Sequence, residues 1–337
     1  MKTIIILLIL ACPLMAAAGD FPLGFYGIGA PRELAALKKA GFDTFHTYNQ
    51  DPARLAALAA EAKKLKMKMV AYPDRVIGSP HEGAAKRWPV LAWYLLDEPE
   101  VQKLPLEKLA ALEARVKAWD KRARTVFVMG NGLAAFTYAG VADALMVDWY
   151  PVPHLKPESV GEQVAFVKAG AAIQDPARPD KPVWAVLQAF DWINYPQRRS
   201  PRVGGFPTFE QVRYMTYLAL ARGASGIFYF KYDGSDGIPL PARPERWSAY
   251  ERIAAELNAL RPALEKGKPG VVPAGLDAGL VTRAIKKGGR TYLFLLNPGL
   301  PPIALPAETL KGWRPLFEPK RELPAALGTH RVLVLEK

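Results

Sequence analysis

The amino-acid sequence predicts an α/β protein, a (β/α)8 barrel followed by a small antiparallel, sandwich-like β-domain. Strand-like apolar runs alternate with amphipathic helical segments eight times over most of the chain, which is the pattern of a closed parallel barrel. After about residue 260 the pattern changes to strands alone, as in an antiparallel sheet. The length of 337 residues exceeds what one hydrophobic core usually holds, and it fits a large domain with a small appendage.

The strands and the helices between them can be assigned in chain order. The eight barrel strands are predicted at 24–29, 42–48, 67–72, 90–96, 125–129, 144–147, 183–187 and 226–232, each a short apolar or aromatic run. Pro31 begins the first helix and Gly41 ends it, while the segments 106–119 and 209–222 each carry an apolar stripe. Strands at 280–285, 291–296 and 331–335 form the β-domain, which we expect to cover the barrel surface rather than to bind a ligand.

The first 18 residues predict a secretory signal peptide. Residues 1–2 provide a positive start, residues 3–11 an apolar run and residues 16–18 three alanines before the cleavage site. The run is too short to span a bilayer. Residues 9–12 also fit a bacterial lipobox, in which Cys12 would carry a lipid anchor. We therefore expect a secreted or periplasmic protein, with a barrel at 19–264 and a β-domain at 265–337, whose only membrane contact would be a lipid anchor at Cys12.

Composition and charge exclude several classes of protein. Cys12 is the only cysteine, so a disulfide scaffold, a thiol nucleophile and a cysteine-based zinc site are excluded. The four histidines lack the spacing of a metal site, and neither a metal nor another cofactor is indicated. The net charge of +13 comes from scattered basic residues, without the stripe or module typical of nucleic-acid binding. An acidic polysaccharide stays open as a partner.

Polar and aromatic residues gather at the carboxyl ends of the predicted strands. In a (β/α)8 barrel these ends surround the open mouth, where ligands bind. Carboxylates and amides bind sugar hydroxyls, and aromatic rings pack against the C–H faces of pyranose rings, so we predict an oligo- or polysaccharide ligand. The candidate substrate-binding residues are Tyr48, Tyr72, Asn131, Tyr150, Gln188, Asp191, Trp192 and Tyr232. For the two amides the bridging of loops is an alternative, and for the aromatic rings, packing at the rim.

The strongest single signal is Asp97-Glu98-Pro99 at the end of the fourth predicted strand. A glutamate in apolar surroundings keeps a raised pKa, so Glu98 is a candidate proton donor to a glycosidic oxygen. The alternative is that Asp97 and Glu98 cap the next segment or form ion pairs. Asp148, at the end of the sixth strand, is a candidate second carboxylate, because an inward carboxylate at the mouth is otherwise hard to satisfy. His46 is expected to be a core histidine whose hydrogen bonds are satisfied.

The Asp97-Glu98-Pro99 segment resembles the Asn-Glu-Pro that marks the acid/base in clan A glycoside hydrolases. The segments 147–152, 207–219 and 223–227 and the C-terminal β-domain are also similar to stretches of such enzymes, so the resemblance covers most of the chain. It implies a glycoside hydrolase on a (β/α)8 barrel, with Glu98 as the general acid/base and Asp97 at the neighbouring sugar-binding position.

At one position the sequence departs from the clan A pattern. Those enzymes place a nucleophilic glutamate at the end of the seventh strand, where this chain has Gln188. Three solutions stay open. In the first, Asp148 or Asp191 is the second carboxylate and acts as a nucleophile at ~5 Å from Glu98 or as a base at ~6.5–9.5 Å. In the second, Asp97 and Glu98 act with the substrate's own acetamido group, as in N-acetylhexosaminidases. In the third, the barrel binds carbohydrate without cleaving it, like a surface glycan-binding lipoprotein. We predict an exported glycoside hydrolase, with the non-catalytic barrel as the alternative.

Overall fold

The computed structural model describes residues 20–195, 203–299, 301–318 and 322–337. The predicted signal peptide and Cys12 lie outside these residues. Eight parallel strands close into a barrel, in which β1 pairs with both β2 and β8, and this confirms the predicted fold class. The strands are β1 Leu23–Phe25, β2 Thr44–His46, β3 Lys68–Ala71, β4 Val90–Asp97, β5 Thr125–Met129, β6 Ala144–Trp149, β7 Val183–Gln188 and β8 Gly226–Phe230.

Eight helices follow these strands and surround the barrel. They are α1 Leu34–Lys39, α2 Pro52–Leu65, α3 Glu82–Ala85, α4 Leu106–Trp119, α5 Ala135–Tyr138, α6 Ser159–Gln174, α7 Phe209–Ala221 and α8 Pro244–Lys266. Side chains at their starts explain where they begin: Asp51 accepts a hydrogen bond from the N–H of Arg54, and Thr208 and Gln211 form a capping box at α7. In the described part of the chain, no helix has the length and apolar character needed to cross a membrane.

Two apolar layers hold the barrel together. Side chains that point inward from the strands fill its interior, among them Tyr26, Tyr94, Trp184 and Phe228. A larger layer lies between the strands and the helices and includes Phe25, Trp247 and Tyr250. The inner layer therefore separates the two ends of the barrel, and a ligand can enter only among the loops at an end.

The C-terminal residues form two antiparallel sheets. A five-stranded sheet has the order β13-β15-β11-β10-β9, and β12 pairs with β14. The strands are β9 Lys268–Pro269, β10 Val281–Lys287, β11 Arg290–Leu296, β12 Ile303–Ala304, β13 Arg314–Pro315, β14 Ala326–Leu327 and β15 Val332–Glu336. Along β11, Phe294 and Leu296 join the core of the barrel while Leu293 and Leu295 face the core of the β-domain. The domain thus covers the barrel with one face of its larger sheet.

The structure differs from the predicted boundaries where a strand leaves the regular ladder. β1 ends at Phe25 rather than residue 29, although Tyr26 and Ile28 still donate hydrogen bonds to neighbouring strands. The eighth helix extends to Lys266, beyond the predicted domain boundary at 264. The short strands β9, β12, β13 and β14 have two residues each, which is too short for any periodic pattern in the sequence.

Candidate active site

Glu98 lies at the barrel mouth directly after β4. Its backbone adopts a φ of 45°, in the left-handed region that residues other than glycine seldom occupy. Its N–H donates to the carbonyl of Val128 at 3.1 Å, which ties the turn to β5. At Gly130, a Cβ atom would lie 2.7 Å from Oε1 of Glu98. The position of the Glu98 carboxyl group therefore depends on a glycine at residue 130.

Asp148, near the end of β6, meets Glu98 at the mouth. Its carboxyl group is buried beside the side chains of Glu98 and Tyr150, and both of these groups act on its pKa. Its Oδ1 is buried and has no hydrogen-bond partner among the described residues. Burial, followed by the charges of Glu98 and Asp97, raises the pKa of Asp148 well above its ordinary value. Two neighbouring carboxyl groups repel each other when both are ionised, so the charge of Glu98 favours the protonated form of Asp148.

Asp97, the last residue of β4, is the third carboxyl group at the mouth. The Tyr94 hydroxyl donates to its Oδ1 at 2.6 Å. Burial raises the pKa of Asp97, and the hydrogen bond from Tyr94 opposes part of that effect. Tyr94 and Asp97 both point inward because β4 has one extra residue between them relative to β5, which is a β-bulge.

Tyrosine side chains line the mouth around these carboxyl groups. Burial raises the pKa values of Tyr48 and Tyr72, and the negative charge of Asp97 raises both further. Asp148 acts in the same direction on Tyr48 and Tyr150. Tyr48 is 40% exposed, so its ring is open to a ligand. Hydroxyl groups and an exposed aromatic face thus lie next to the acids.

His46, at the end of β2, is enclosed by this aromatic layer. Its ring stacks on Tyr26 with 4.1 Å between centroids, and it lies 4.5 Å from Tyr48 and 4.6 Å from Tyr94. Both ring nitrogens are buried, with no hydrogen-bond partner among the described residues. Burial lowers the pKa of His46 to about 3. The expectation of a core position is met, but the expectation of satisfied hydrogen bonds was wrong.

Gln188, at the position of the clan A nucleophile, joins two loops. Its Oε1 accepts from the N–H of Val152 at 2.9 Å, and its Nε2 donates to the carbonyls of Val152 at 2.7 Å and Phe190 at 3.1 Å. The side chain is fully buried. These contacts favour the loop-bridging alternative over sugar binding, because the amide is already occupied by the backbone.

Asn131 and Asp191 also hold loops. Oδ1 of Asn131 accepts from the N–H of Leu133 at 2.9 Å. Oδ1 of Asp191 accepts from the N–H groups of Ile193 at 3.0 Å and Gly205 at 2.8 Å. Of the two candidate second carboxylates, Asp148 is thus the one whose pKa Glu98 raises, while Asp191 organises the loop after β7.

The remaining aromatic candidates separate into two groups. Trp192 is buried, and its Nε1 donates to the carbonyl of Tyr150 at 3.1 Å, so these two rings belong to the mouth. Tyr232 does not join them. It is buried in the layer between strands and helices, where it packs on Phe25 and Trp247, and burial raises its pKa to about 12. This position, packed on Phe25 and Trp247, speaks against the predicted role in sugar binding.

Several residues that shape the mouth were not predicted. Tyr26 and Tyr94 are inward-facing strand residues, and the strand pattern alone does not separate them from core. Glu100 lies behind Glu98, and its Oε1 accepts from the N–H of Asn131 at 3.0 Å. Burial raises the pKa of Glu100. The second glutamate of the Asp-Glu-Pro-Glu segment was the available signal for this contact.

Comparisons with known proteins show the fold. No protein-family model matches the sequence, and no curated protein matches it. A solved structure described as "Glycoside hydrolase" aligns over 94% of this chain and 92% of its own, with a TM-score of 0.61 and 15% identity. A glycoside hydrolase family 5 structure from Bacteroides vulgatus aligns over 94% and 88%, with a TM-score of 0.60 and 14% identity. An Anoxybacillus α-amylase aligns over 95% and 98%, with a TM-score of 0.56 and 11% identity. The chain thus has a glycoside hydrolase-like barrel fold.

Proposed function

We propose that this chain is an exported glycoside hydrolase that cleaves an O-glycosidic bond with Glu98 as general acid/base and Asp148 as the second carboxylate. The observation that carries the proposal is that Glu98 and Asp148 lie together at the mouth, where the charge of Glu98 adds to the effect of burial in raising the pKa of Asp148. Paired carboxyl groups with displaced pKa values are what glycoside hydrolysis requires. The fold that the chain shares with solved glycoside hydrolases supports the same reaction class.

In the proposed mechanism Asp148 acts as a nucleophile. An inverting enzyme keeps its carboxyl groups about 6.5–9.5 Å apart to leave room for a water, whereas a retaining enzyme keeps them about 5–5.5 Å apart. The configuration of the product therefore tests whether Asp148 attacks the sugar itself or activates a water.

The reaction proceeds in two steps, and Glu98 transfers a proton in each of them. Glu98 gives the proton to the glycosidic oxygen while the Asp148 carboxylate attacks the anomeric carbon; the bond to the leaving alcohol breaks and a glycosyl ester forms. Glu98, now ionised, takes a proton from water, and the hydroxide attacks the anomeric carbon. The ester breaks, the sugar leaves with its configuration retained, and the pair again holds one proton.

The other mouth residues fit carbohydrate binding. Asp97 keeps Oδ2 for a sugar hydroxyl, since the hydrogen bond from Tyr94 goes to Oδ1. Tyr48 offers a ring face and a hydroxyl, and Trp192 and Tyr150 pack beside the pair. An oligo- or polysaccharide is therefore the proposed substrate.

The test is hydrolysis of aryl glycosides and polysaccharides, including N-acetylated and uronic sugars, by the wild type and by Glu98→Gln. We expect the variant to lose activity on the order of 10³-fold. Asp74→Asn is the matched control, because Asp74 follows β3 at the same end of the barrel, is half-exposed and has a pKa raised by burial. Its activity should stay within about twofold of wild type.

The outcomes separate the alternatives. If the protein hydrolyses only N-acetylated sugars and Asp148→Asn keeps this activity, the nucleophile is the acetamido group of the substrate, and Asp97 and Glu98 are the catalytic pair. Sugar binding without hydrolysis, with the same affinity in Glu98→Gln, would indicate a non-catalytic barrel. The structural role of Gln188 in joining two loops favours this alternative. Product configuration read by NMR distinguishes retention from inversion.

Export is part of the same proposal and rests on residues 1–18. Expression in a bacterial host with fractionation and mass spectrometry tests it. A mature chain that begins at Gly19 supports a signal peptide, and a lipidated chain that begins at Cys12 supports the anchored form. Retention of the full chain in the cytoplasm would overturn it.

A further inference from the structure

Glu100 lies on the loop after β4, two residues beyond the proposed proton donor Glu98. Its Oε1 accepts a hydrogen bond from the N–H of Asn131 at 3.0 Å. The residue before Asn131 is Gly130, where a Cβ atom would lie 2.7 Å from Oε1 of Glu98. Consecutive residues of the turn after β5 therefore contact the two glutamates, and both carboxyl groups lie against the same turn.

The loop that carries both glutamates is closed by its own hydrogen bonds. The backbone N–H groups of Val101 and Gln102 donate to the carbonyl of Glu98, each at 3.1 Å. The side chain of Gln102 donates to the carbonyl of Asp97 at the end of β4. Glu98 and Glu100 are thus carried by one hydrogen-bonded turn that begins where the strand ends.

The second carboxyl oxygen of Glu100 has no such contact. Oε2 is buried and has no hydrogen-bond partner among the described residues. A buried polar atom without a partner lowers the stability of the folded protein, and in a native structure it calls for another explanation, such as a role at a functional site. Stability alone therefore does not explain why a carboxyl group occupies this position.

Charge links the two glutamates. Burial raises the pKa of Glu100, the backbone N–H groups around its carboxyl group lower it, and the charge of Glu98 raises it again. The repulsion between two like charges is mutual. An ionised Glu100 therefore favours the protonated form of Glu98.

The mouth holds further titratable groups. Asp97, at the end of β4, and Asp148, on β6, act on Glu98 in the same direction as Glu100 when they are ionised. Lys103, on the same loop, is exposed to solvent, which screens its charge. Burial lowers the pKa of His46 to about 3, so its ring is neutral above pH 4. Burial also raises the pKa values of the surrounding tyrosines, which are Tyr26, Tyr48, Tyr72, Tyr94 and Tyr150.

We propose that Glu100 is a positioning residue for the proton donor. Its carboxylate holds the turn at Gly130 and Asn131 against Glu98, and its negative charge favours the protonated Glu98 that a general acid requires. Glu100 acts through Glu98 and does not touch the substrate. The inference rests on the proposed function, in which Glu98 gives a proton to the glycosidic oxygen.

The test is the pH dependence of kcat/KM in the wild type and in Glu100→Gln. The amide keeps an oxygen that accepts from Asn131 but carries no charge. Activity falls at high pH as Glu98 loses its proton, and we expect this alkaline limb to lie about one pH unit lower in the variant. The kcat at the optimum should stay within about threefold of wild type. Glu100→Ala, which also loses the hydrogen bond, should lower kcat about tenfold.

Glu33→Gln is the matched control. Glu33 follows β1 at the same end of the barrel and is partly buried, like Glu100. Its Oε2 accepts from the N–H groups of Gly29 at 2.8 Å and Ala30 at 3.1 Å, so it also holds a loop through its carboxyl group. We expect the pH profile of this control to match that of wild type. An unmoved alkaline limb in Glu100→Gln, or an equal shift in Glu33→Gln, would overturn the proposal.

A second measurement separates this proposal from the proposed function. NMR titration of ¹³C-labelled glutamate carboxyl groups, with Glu98→Gln to assign the signal, gives the pKa of Glu98 without a substrate. We expect this pKa to be lower in Glu100→Gln than in wild type and unchanged in Glu33→Gln. A lower pKa without hydrolysis of any glycoside would overturn the proposed function and leave the effect of Glu100 on Glu98 standing. Hydrolysis with an unchanged pKa would do the reverse.

Discussion

The two ends of β6 place carboxyl groups in opposite surroundings. Asp143, just before the strand, forms ion pairs with Lys117 at 2.5 Å and Arg178 at 3.1 Å. Burial alone would raise the pKa of Asp143, but hydrogen bonds from Lys117 and Thr125 lower it. Asp148, near the other end, meets carboxyl groups instead of cations, and its pKa is raised.

On the proposed function, this difference separates a stabilising end of the barrel from a catalytic one. An acid paired with cations stabilises the folded state and stays ionised. An acid that is buried against other acids destabilises the fold when it is ionised, and a pKa displaced in this way is typical of functional sites. The division matches the general behaviour of (β/α)8 barrels, in which reactions take place at the carboxyl ends of the strands.

The largest expected effect comes from exchanging each acid of β6 for its amide. Asp148→Asn should lower kcat/KM on the order of 10³-fold, because the amide can neither attack nor exchange a proton. Asp143→Asn, at the other end of the strand, should leave the activity per folded molecule within about twofold. Hydrolysis rates on the best substrate of the glycoside panel provide the measurement. Equal losses in the two variants would remove the distinction between the ends.

A change at Gly130 tests whether activity depends on the position of the Glu98 carboxyl group as well as on its presence. Gly130→Ala puts a Cβ atom 2.7 Å from Oε1 of Glu98, so the carboxyl group must move. We expect kcat to fall about 100-fold, the cost of a displacement near 1 Å in a catalytic group. Gly140→Ala is the control, since its Cβ would meet only an ordinary contact at 3.5 Å. An unchanged kcat in Gly130→Ala would mean that the added methyl group does not displace the Glu98 carboxyl group from its working position.

Much of the fold was predictable from the sequence because it depends on period and length. The strands at 125–129 and the helix at 106–119 match their predicted boundaries, since each is a long apolar or amphipathic run between clear breaks. Four strands of two residues each were missed, because such short segments have no period. The two faces of β11 explain why its apolar run is nearly continuous: both faces are buried.

The candidate site was predictable only in part, because side-chain direction depends on local irregularity. The bulge in β4 brings Tyr94 and Asp97 to the same side, and strict alternation would have separated them. Tyr232 was selected because the eighth strand was predicted to extend to residue 232, whereas β8 ends at Phe230. The effect of Glu98 on the pKa of Asp148 acts between two strands separated by β5, a relation that strand order alone does not specify.

The burial of His46 at the mouth should make the free energy of unfolding depend on pH. The unfolded chain binds a proton at His46 near pH 6.5, while burial lowers the pKa in the folded protein to about 3. Wild type therefore loses stability as the pH falls from 6.5 toward 3. His46→Phe keeps the ring stack and removes this loss, so its stability relative to wild type should rise by about 1.4 kcal/mol per pH unit. Urea unfolding at pH 6, 5 and 4 measures this, and a constant difference would contradict it.

The opposite end of β6 should respond as a stabilising site. Asp143→Asn loses the charge that Lys117 and Arg178 share, although the amide still accepts one hydrogen bond. Because these groups are partly exposed, we expect a loss of about 1 kcal/mol in the free energy of unfolding at pH 7. Urea titration gives the value, and Asp120→Asn, which removes an ion pair with the exposed Arg122, serves as the reference. A gain in stability would place Asp143 in the same class as Asp148.

Asp148→Asn should raise the melting temperature slightly, although we expect it to inactivate the protein. The folded protein holds the Asp148 proton more tightly than the unfolded chain, whose pKa is near 3.8. This contribution to stability is therefore complete below about pH 3.8 and is lost as the pH rises through the higher folded-state pKa. At pH 7 the variant, which carries no charge, should melt about 2 °C above wild type, and the difference should vanish below pH 4. A lower melting temperature of Asp148→Asn at pH 7 would show that the ionised Asp148 stabilises the fold, as Asp143 does. The two ends of β6 would then not differ in how their carboxyl groups affect stability.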